Sequence, residues 1–276
     1  TSYLIMLSAC KKENKPDNSV TTGRIKSLQV NWGLIPGVLR DKIDFVYDNS
    51  GRVQEINAYN ILANPSSGYD SVFNLYFEYN GNNQLPFKFR YIYYVGSAND
   101  IHYLTYDNNL LPIKDSALVM NTVPNQPPFF LKKSTFTYSG NSVICRDSFP
   151  INSFRSHILT NSNENFISWE EIPLNRASDT YYEFDNYTNP LNKLNVAPIF
   201  HIVFNEHLPS GGYWAIWTLC NKNNITKLKK DFYATTGLYH DTLTFKFSYL
   251  PDGRPDNRIV YNRFGWPEDT IYYFYQ

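Results

Sequence analysis

Hydrophobic and polar residues alternate with a period of two along most of the chain, and this pattern predicts β-strands. The clearest alternating segments are residues 72–79 and residues 243–249. In the first segment Phe73, Leu75 and Phe77 share one face, because successive side chains of a strand point to opposite sides. We therefore expect one face of each strand to lie in a core and the other face to contact water.

The predicted strands recur in a hairpin repeat. Each unit opens with Asp followed by Ser or Thr, continues into an aromatic-rich strand, and ends in a turn rich in Asp, Asn, Gly or Pro. The openings are Asp70, Asp115, Asp147, Asp179, Asp241 and Asp269. The pattern predicts an all-β fold, a long antiparallel meander of hairpins. A meander of this length is expected to curl or close into a barrel-like sheet, because its edge strands must be protected.

The alternation breaks down between residues 186 and 232. Asn189-Pro190, Ala197-Pro198 and Gly211-Gly212 interrupt it, and residues 225–231 could form one short helical turn. We interpret this stretch as a loop-rich insertion within a single domain that covers residues 25–276.

Composition supports the strand prediction and narrows the range of partners. The chain has 23 Tyr and 19 Phe but only 2 Met, and aromatic residues favour strands. Lys plus Arg equals Asp plus Glu at 25 each, so the sequence lacks the excess of positive charge that is typical of nucleic-acid-binding proteins. We expect no nucleic-acid partner, and no sequence motif predicts a cofactor.

The N-terminal segment predicts a lipid anchor. The apolar residues 3–7 are followed by Ser8-Ala9-Cys10 and then by a charged, polar stretch. In this interpretation residues 1–9 are the remnant of a signal peptide, Cys10 carries the lipid, and residues 11–24 form a flexible tether. Several acyl chains give a stable anchor, since each buried methylene contributes about 0.8 kcal/mol. The expected location is the outer membrane, on its periplasmic or cell-surface side.

Short motifs give the chain a resemblance to a known group. The segment ending in Cys10, the turn at residues 47–52, residues 185–191 and residues 223–227 resemble Bacteroidetes-type envelope lipoproteins. That group is catalogued as a domain of unknown function with a porin-like, curled antiparallel sheet and hairpins similar to YD repeats. The resemblance implies an envelope β-sheet protein over most of residues 25–276 and implies no activity.

Cysteines and histidines give no metal motif. Cys145 and Cys220 form a disulfide or remain two buried thiols, and the sequence leaves both alternatives open. His201 and His207 are close in sequence, but on an unbroken strand they would lie about 20 Å apart. No metal site is predicted.

Catalytic motifs are also missing. Glu170 and Glu171 follow Trp169, but adjacent strand residues face opposite ways and cannot flank one glycosidic bond. The alternative to a binding module is therefore a polysaccharide-acting enzyme whose carboxylates come from separate strands.

Two further features have both a functional and a structural interpretation. Tyr213, Trp214 and Trp217, with nearby Asn221, could bind a glycan by stacking and hydrogen bonding, or the rings could fill the core. The Asp-Ser/Thr pairs resemble an O-glycosylation acceptor motif, or mark the start of a strand after a turn. We predict a lipid-anchored, non-enzymatic envelope protein that serves as a binding or scaffold module for a glycan or a membrane-protein partner.

Overall fold

The computed structural model describes most of the chain. The described residues are 23–32, 39–61, 69–94, 98–120, 129–149, 154–163, 165–171, 178–203, 221–234 and 237–276.

The described residues form sixteen β-strands and one short α-helix. The first eight strands are Ile25–Trp32 (β1), Leu39–Tyr47 (β2), Val53–Ile61 (β3), Tyr69–Glu78 (β4), Lys88–Tyr93 (β5), Ala98–Tyr106 (β6), Pro112–Val119 (β7) and Phe129–Ser139 (β8). The other eight are Ser142–Ser148 (β9), Phe154–Ser162 (β10), Asn165–Glu171 (β11), Ser178–Thr188 (β12), Asn223–Ala234 (β13), Gly237–Tyr249 (β14), Pro255–Tyr261 (β15) and Pro267–Tyr275 (β16). A 3-10 turn, Pro190–Lys193, and the helix Ala197–Val203 (α1) lie between β12 and β13.

The sheet closes into a barrel. Each strand pairs antiparallel with the strands before and after it in sequence, and β1 pairs with β16 through contacts such as Leu28 opposite Tyr273. A closed barrel has no edge strands, which removes the edges that a meander of this length would otherwise expose. The predicted antiparallel meander is confirmed, and it closes.

The two ends of the barrel differ in their connections. Short turns join β2 to β3, β6 to β7 and β14 to β15 at one end, which we call the turn end. The opposite end has a similar short turn between β15 and β16 but also the longer connections between β1 and β2, β3 and β4, and β7 and β8, and it is called the loop end. Chain entry is at the turn end, where the amide of Gly23 donates to the carbonyl of Gln276 at 3.0 Å.

One turn geometry recurs around the barrel. In the β2–β3 turn, Asp48 Oδ1 accepts from the amides of Ser50 and Arg52, and Gly51 has φ +75°. The β6–β7 turn repeats these bonds from Asp107, but Leu110 occupies the glycine position with φ +63°. The Asp and Gly residues of the sequence repeat are thus explained by turn geometry.

The inner face of the barrel is apolar. The barrel wall is a single layer of strands, so side chains without exposure must point inward. The fully buried alternating residues include Phe73, Leu75 and Phe89, and they belong to one continuous core. The predicted core face of each strand is therefore confirmed, and the other face lies on the outside of the barrel.

Tyrosines line the inner wall at the turn end. The hydroxyl of Tyr47 donates to the carbonyl of Ile25, that of Tyr106 to Pro86, and that of Tyr138 to Pro112, each at 2.7 Å. Tyr79 and Tyr275 make equivalent bonds to Val53 and Pro255. Each bond ties the end of one strand to the backbone of the preceding hairpin, which explains why Tyr ends so many strands in the sequence.

The interruption of the meander is shorter than predicted. Residues 225–231 are not a helical turn, because they lie within β13, and the helix is α1 instead. An unbroken strand through His201 is also wrong, since His201 is part of that helix. The described part of the insertion, residues 189–203, is called the cap segment.

Three of the six Asp-Ser/Thr openings are wrong as strand starts. Asp70, Asp179 and Asp269 stand near the beginning of a strand, whereas Asp115 and Asp241 lie in the middle of β7 and β14 and Asp147 is near the end of β9. Asp115 and Asp147 are buried on the inner face instead of ending a turn.

No helix among the described residues is long and apolar enough to cross a bilayer.

Candidate functional site: the polar layer inside the barrel

The inner face carries buried polar and ionisable residues, most of them in the loop-end half of their strands. They alternate in register with core residues on the same strands, so they share the inner face, and we call them the polar layer. They are Asp41, Asp100, His102, Asp115, Lys132, Ser134, Asp147, Arg258 and Asp269. Every one of them has at most 7% of its surface exposed. Ionisable groups are rarely buried without partners, so this polar layer is the leading candidate for a functional site.

One part of the layer spans β6 to β9. Asp115 lies opposite Ser134, and Ser134 lies opposite Asp147 on the next strand. His102 Nδ1 is 2.9 Å from Asp115 Oδ2, and Lys132 Nζ is 3.9 Å from Asp147 Oδ2. The register of the four adjacent strands β6 to β9 therefore assembles this group from residues far apart in sequence.

His102 is held on two sides. Its ring stacks on Phe89, with centroids 4.3 Å apart and planes tilted by 12°, while its Nδ1 contacts the carboxylate of Asp115. These two contacts fix the orientation of the His102 ring. Fixing an imidazole in this way is a usual function of a carboxylate that contacts one of its ring nitrogens.

Unsatisfied atoms lie next to this pair. Asp115 Oδ1 and Ser134 Oγ are buried without a hydrogen-bond partner among the described residues. Burial also raises the pKa of Asp100, and electrostatic interactions with His102 and Lys132 oppose this increase only in part. This group of side chains is thus polar and closed to solvent, and some of its polar atoms make no hydrogen bond to a described residue.

A second part of the layer contains Arg258. This side chain on β15 is fully buried, lies between Phe247 and Ile271 in register, and has its guanidinium carbon 5.1 Å from the centre of the Phe245 ring. Burial lowers its pKa, because desolvation disfavours the charged form.

The cap segment crosses the turn end. Asn195 Oδ1 accepts from the amide of Val53 at 2.8 Å, and its Nδ2 donates to the hydroxyl of Tyr79 at 2.8 Å. Phe200 of α1 packs against Phe77, with ring centres 6.4 Å apart. The segment leaves β12, contacts β3 and β4 on the other side of the barrel, and returns to β13, so it covers the apolar interior.

The outer face carries charged side chains together with exposed aromatic residues such as Tyr103, Tyr272 and Phe274. Lys42 and Asp44 form an ion pair at 2.8 Å on the outer side of β2, and Lys229 pairs with Glu183 at 2.9 Å across β13 and β12. Arg90 is also exposed in the middle of its strand. Such positions are typical of a surface that contacts water.

Several residues named from the sequence lie outside the described part of the chain. These are Cys10, His207, Tyr213, Trp214, Trp217 and Cys220. The lipid anchor, the aromatic glycan site and the disulfide therefore remain predictions. Cys145 is buried, with its sulfur 3.6 Å from Asp147 Oδ1.

Asn221 lies two residues before β13, the strand that follows the insertion. It is fully buried, and its Oδ1 accepts from the amide of Phe166 at 2.7 Å. Asn223 and Asn165 exchange bonds nearby, so these asparagines hold the backbone where the insertion interrupts the hairpins. Among the described residues, no three His, Cys, Asp or Glu side chains are grouped so that they could hold a metal ion.

The carboxylates of the polar layer do not resemble a glycosidase pair. A glycosidase presents its acid and its base on either side of a bond in a bound sugar chain. Asp100, Asp115 and Asp147 are closed to solvent, and Glu170 pairs in register with Asp179, on the other side of its strand from Trp169. The described residues therefore give no support to the enzyme alternative.

Solved structures share the barrel. The chain is similar to a porin-like protein from Bacteroides vulgatus ATCC 8482, with a TM-score of 0.50 and 11% identity over 92% of this chain and 99% of that chain. A porin-like protein from Bacteroides uniformis ATCC 8492 gives a TM-score of 0.51 and 11% identity over 92% of this chain and 98% of that one. No family model and no curated protein matches the sequence. The likeness shows the fold alone.

Proposed function

We propose that the chain is a lipid-tethered envelope barrel that stands in water beside the outer membrane and acts as a binding or scaffold module, not as a pore. The observation that supports this most is the orientation of its two faces. The inner face is an apolar core, and the outer face carries charged residues such as Lys42, Arg90 and Lys229.

A barrel that crosses a bilayer has the opposite arrangement. Its outer face needs an apolar band about 25 Å tall, and a Lys or Arg facing lipid at the midplane costs about 2–4 kcal/mol. Several such residues on one wall would make insertion strongly unfavourable. In water the same side chains keep their hydration, and ion pairs such as Lys229–Glu183 form at little cost.

The interior is unsuited to conduction. Porins conduct through a polar, water-filled lumen. Here core residues such as Ile56, Phe73 and Leu75 have no exposure, and the cap segment joins the same core through Ile199 and Phe200. A filled and capped barrel supports a role in binding or assembly.

The tether would hold the capped end toward the bilayer. Gly23 joins the barrel at the turn end, and residues 11–24 would separate it from the lipid on Cys10. A stretch of this length spans at most about 50 Å when fully extended. The loop end would then face away from the membrane, and it is the end that a glycan or an envelope protein would meet.

The test is behaviour without detergent. The Cys10→Ser variant of the chain, which has no acylation site, is expected to purify as a folded, monodisperse β-protein in aqueous buffer and to add no conductance to planar bilayers. A requirement for detergent, or stepwise channel currents, would overturn the proposal.

The glycan alternative has a separate test at the predicted aromatic site. Trp214→Phe and Trp217→Phe variants and the unchanged protein are titrated with a panel of glycans while tryptophan fluorescence is recorded. A change that is lost in either variant supports glycan as the partner. No change with any glycan in the folded protein would favour an envelope protein.

A further inference from the structure

β14 is longer than the strand that pairs with it on one side. β13 pairs with β14 from the first residue of β14, whereas β15 first pairs at Thr244, which lies opposite Tyr261. Among the described residues, no strand pairs with Leu238, His240 or Thr242 on the β15 side. The barrel closes, but the first part of β14 extends past β15 at the loop end. We call Leu238, His240 and Thr242 the open edge.

The backbone groups of the open edge point away from β13. The direction of N–H and C=O groups alternates along a strand, so residues two apart face the same neighbour. Directly after β14, the amide of Leu250 donates to the carbonyl of Arg254, in the segment that leads to β15, at 2.8 Å. Even-numbered residues of β14 therefore face the β15 side, and the open edge belongs to this set. The amide of Thr242 donates to the side chain of Asp241 at 2.9 Å, as expected for an amide with no strand beside it.

Exposed apolar side chains surround the open edge. Leu238 is 49% exposed and Tyr239 is 53% exposed, and they lie on opposite faces of β14. The turn that follows Tyr261 carries Phe264 and Trp266, each 68% exposed. Exposed apolar groups of this size at one end of a barrel are typical of an interaction surface.

We propose that the open edge binds an extended segment of another envelope protein, which adds to β14 as a further strand. Backbone groups without a partner strand are a template for such addition, and the new hydrogen bonds supply the affinity. The side chains of the segment give specificity. Apolar or β-branched residues suit it best, because they pack against Leu238 on one face and Tyr239 on the other.

The choice of a different protein as partner rests on the proposed function. β14 runs from the loop end to the turn end, so two copies paired antiparallel through the open edge would have their loop ends pointing toward each other. The proposed attachment instead turns the loop end of every copy away from one bilayer. A strand from another protein satisfies the open edge in that orientation.

The experiment uses a labelled peptide with the sequence Lys-Val-Thr-Val-Thr-Val-Lys, whose alternating residues favour an extended strand. Its counterpart is N-methylated at each Val and Thr, so it keeps the side chains but lacks those backbone donors. Fluorescence anisotropy measures binding, and amide hydrogen exchange by NMR locates it. The first peptide is expected to bind and to slow exchange at Leu238 and His240. The N-methylated peptide is expected to bind at least about tenfold more weakly.

Two substitutions at His240 form a matched pair. His240→Pro and His240→Thr both remove the contact with Asp231 at 2.7 Å, but only proline removes the amide that faces the open edge. Circular dichroism checks that both variants are folded. His240→Pro is expected to weaken peptide binding by at least about tenfold, and His240→Thr to leave it within about twofold. The N-methylated peptide tests the same bonds in the unchanged protein, so the outcome does not depend on the folding of His240→Pro.

Three results would overturn strand addition. These are no binding of the first peptide, equal binding of the N-methylated peptide, and equal binding by the two His240 variants. Analytical ultracentrifugation tests the alternative partner, since a dimer that His240→Pro dissociates and His240→Thr does not would assign the open edge to a second copy and overturn the proposed partner. None of these results bears on detergent dependence or conductance, so failure of this inference is distinguishable from failure of the proposed function.

Discussion

Asn195 and Tyr79 connect the cap segment to the barrel wall. The amide nitrogen of Asn195 donates to the Tyr79 hydroxyl at 2.8 Å, and that hydroxyl donates to the carbonyl of Val53. Asn195 Oδ1 accepts from the amide of the same Val53 at 2.8 Å. These bonds satisfy buried groups on three segments at once, so one side chain fixes the position of the cap.

Replacing Asn195 with Ala is expected to destabilise the protein by about 1–3 kcal/mol, because the buried amide of Val53 loses its partner. Urea denaturation measures the change in the free energy of unfolding. The control is Asn82→Ala in an exposed turn, where a change within about 0.5 kcal/mol is expected. Equal losses for both variants would contradict the role given to Asn195.

The second prediction concerns the hydrogen bonds that the tyrosines at the turn end make to backbone carbonyls. Tyr138→Phe removes the bond to the Pro112 carbonyl but keeps the ring, and a loss of about 0.5–1.5 kcal/mol is expected. Tyr103→Phe is the matched control, since Tyr103 is 42% exposed on the outer face. If the two substitutions cost the same in denaturant titrations, the hydroxyl bonds do not stabilise the hairpins.

Leu110 is strained in its turn. It has φ +63°, whereas Gly51 has φ +75° in the equivalent position of the β2–β3 turn. A left-handed conformation costs a residue with a Cβ about 1–2 kcal/mol, and the greater entropy of unfolded glycine offsets part of the gain. Leu110→Gly is expected to stabilise by about 0.5–1 kcal/mol, and Gly51→Ala to destabilise. Thermal unfolding of both variants tests the signs, and destabilisation by Leu110→Gly would refute the strain.

The buried carboxyl group of Asp100 is expected to make the free energy of unfolding depend on pH. Burial raises its pKa in the folded protein, so the folded state binds more protons than the unfolded state between the two pKa values, and stability from this group falls as pH rises. Asp100→Asn is expected to raise the free energy of unfolding at pH 7, and the gain should shrink as pH falls toward 4, near the ordinary pKa of Asp. A gain that does not depend on pH would exclude titration of Asp100 as its cause.

The sequence was sufficient to predict the hairpins and their faces. Phe73, Leu75 and Phe77 alternate with polar residues, and the turn residues Asp48 and Gly51 have one local conformation that suits them. Both patterns involve residues that are close together in sequence, so they can be recognised without knowledge of the three-dimensional structure.

The polar layer and the cap segment could not be predicted in this way. Asp115 and Asp147 resemble turn residues in the sequence, and only the register of β7 to β9 places them together inside the barrel. The cap depends on contacts between Asn195 and Val53, which are 142 residues apart. The buried position of Arg258 could have been recognised from the sequence. It shares a strand face with Val260, and an apolar residue is expected on that face.

The most direct test of the central claim is the environment of the outer wall. Thr137 is exposed on the outer side of β8, and Thr137→Cys in a Cys220→Ser background accepts a fluorescent label. The lipidated protein is bound to vesicles that contain brominated lipids, and quenching by these lipids is compared with quenching by iodide in solution. The proposed orientation predicts quenching by iodide and none by the lipids. Quenching by the lipids with protection from iodide would show that the wall faces the bilayer.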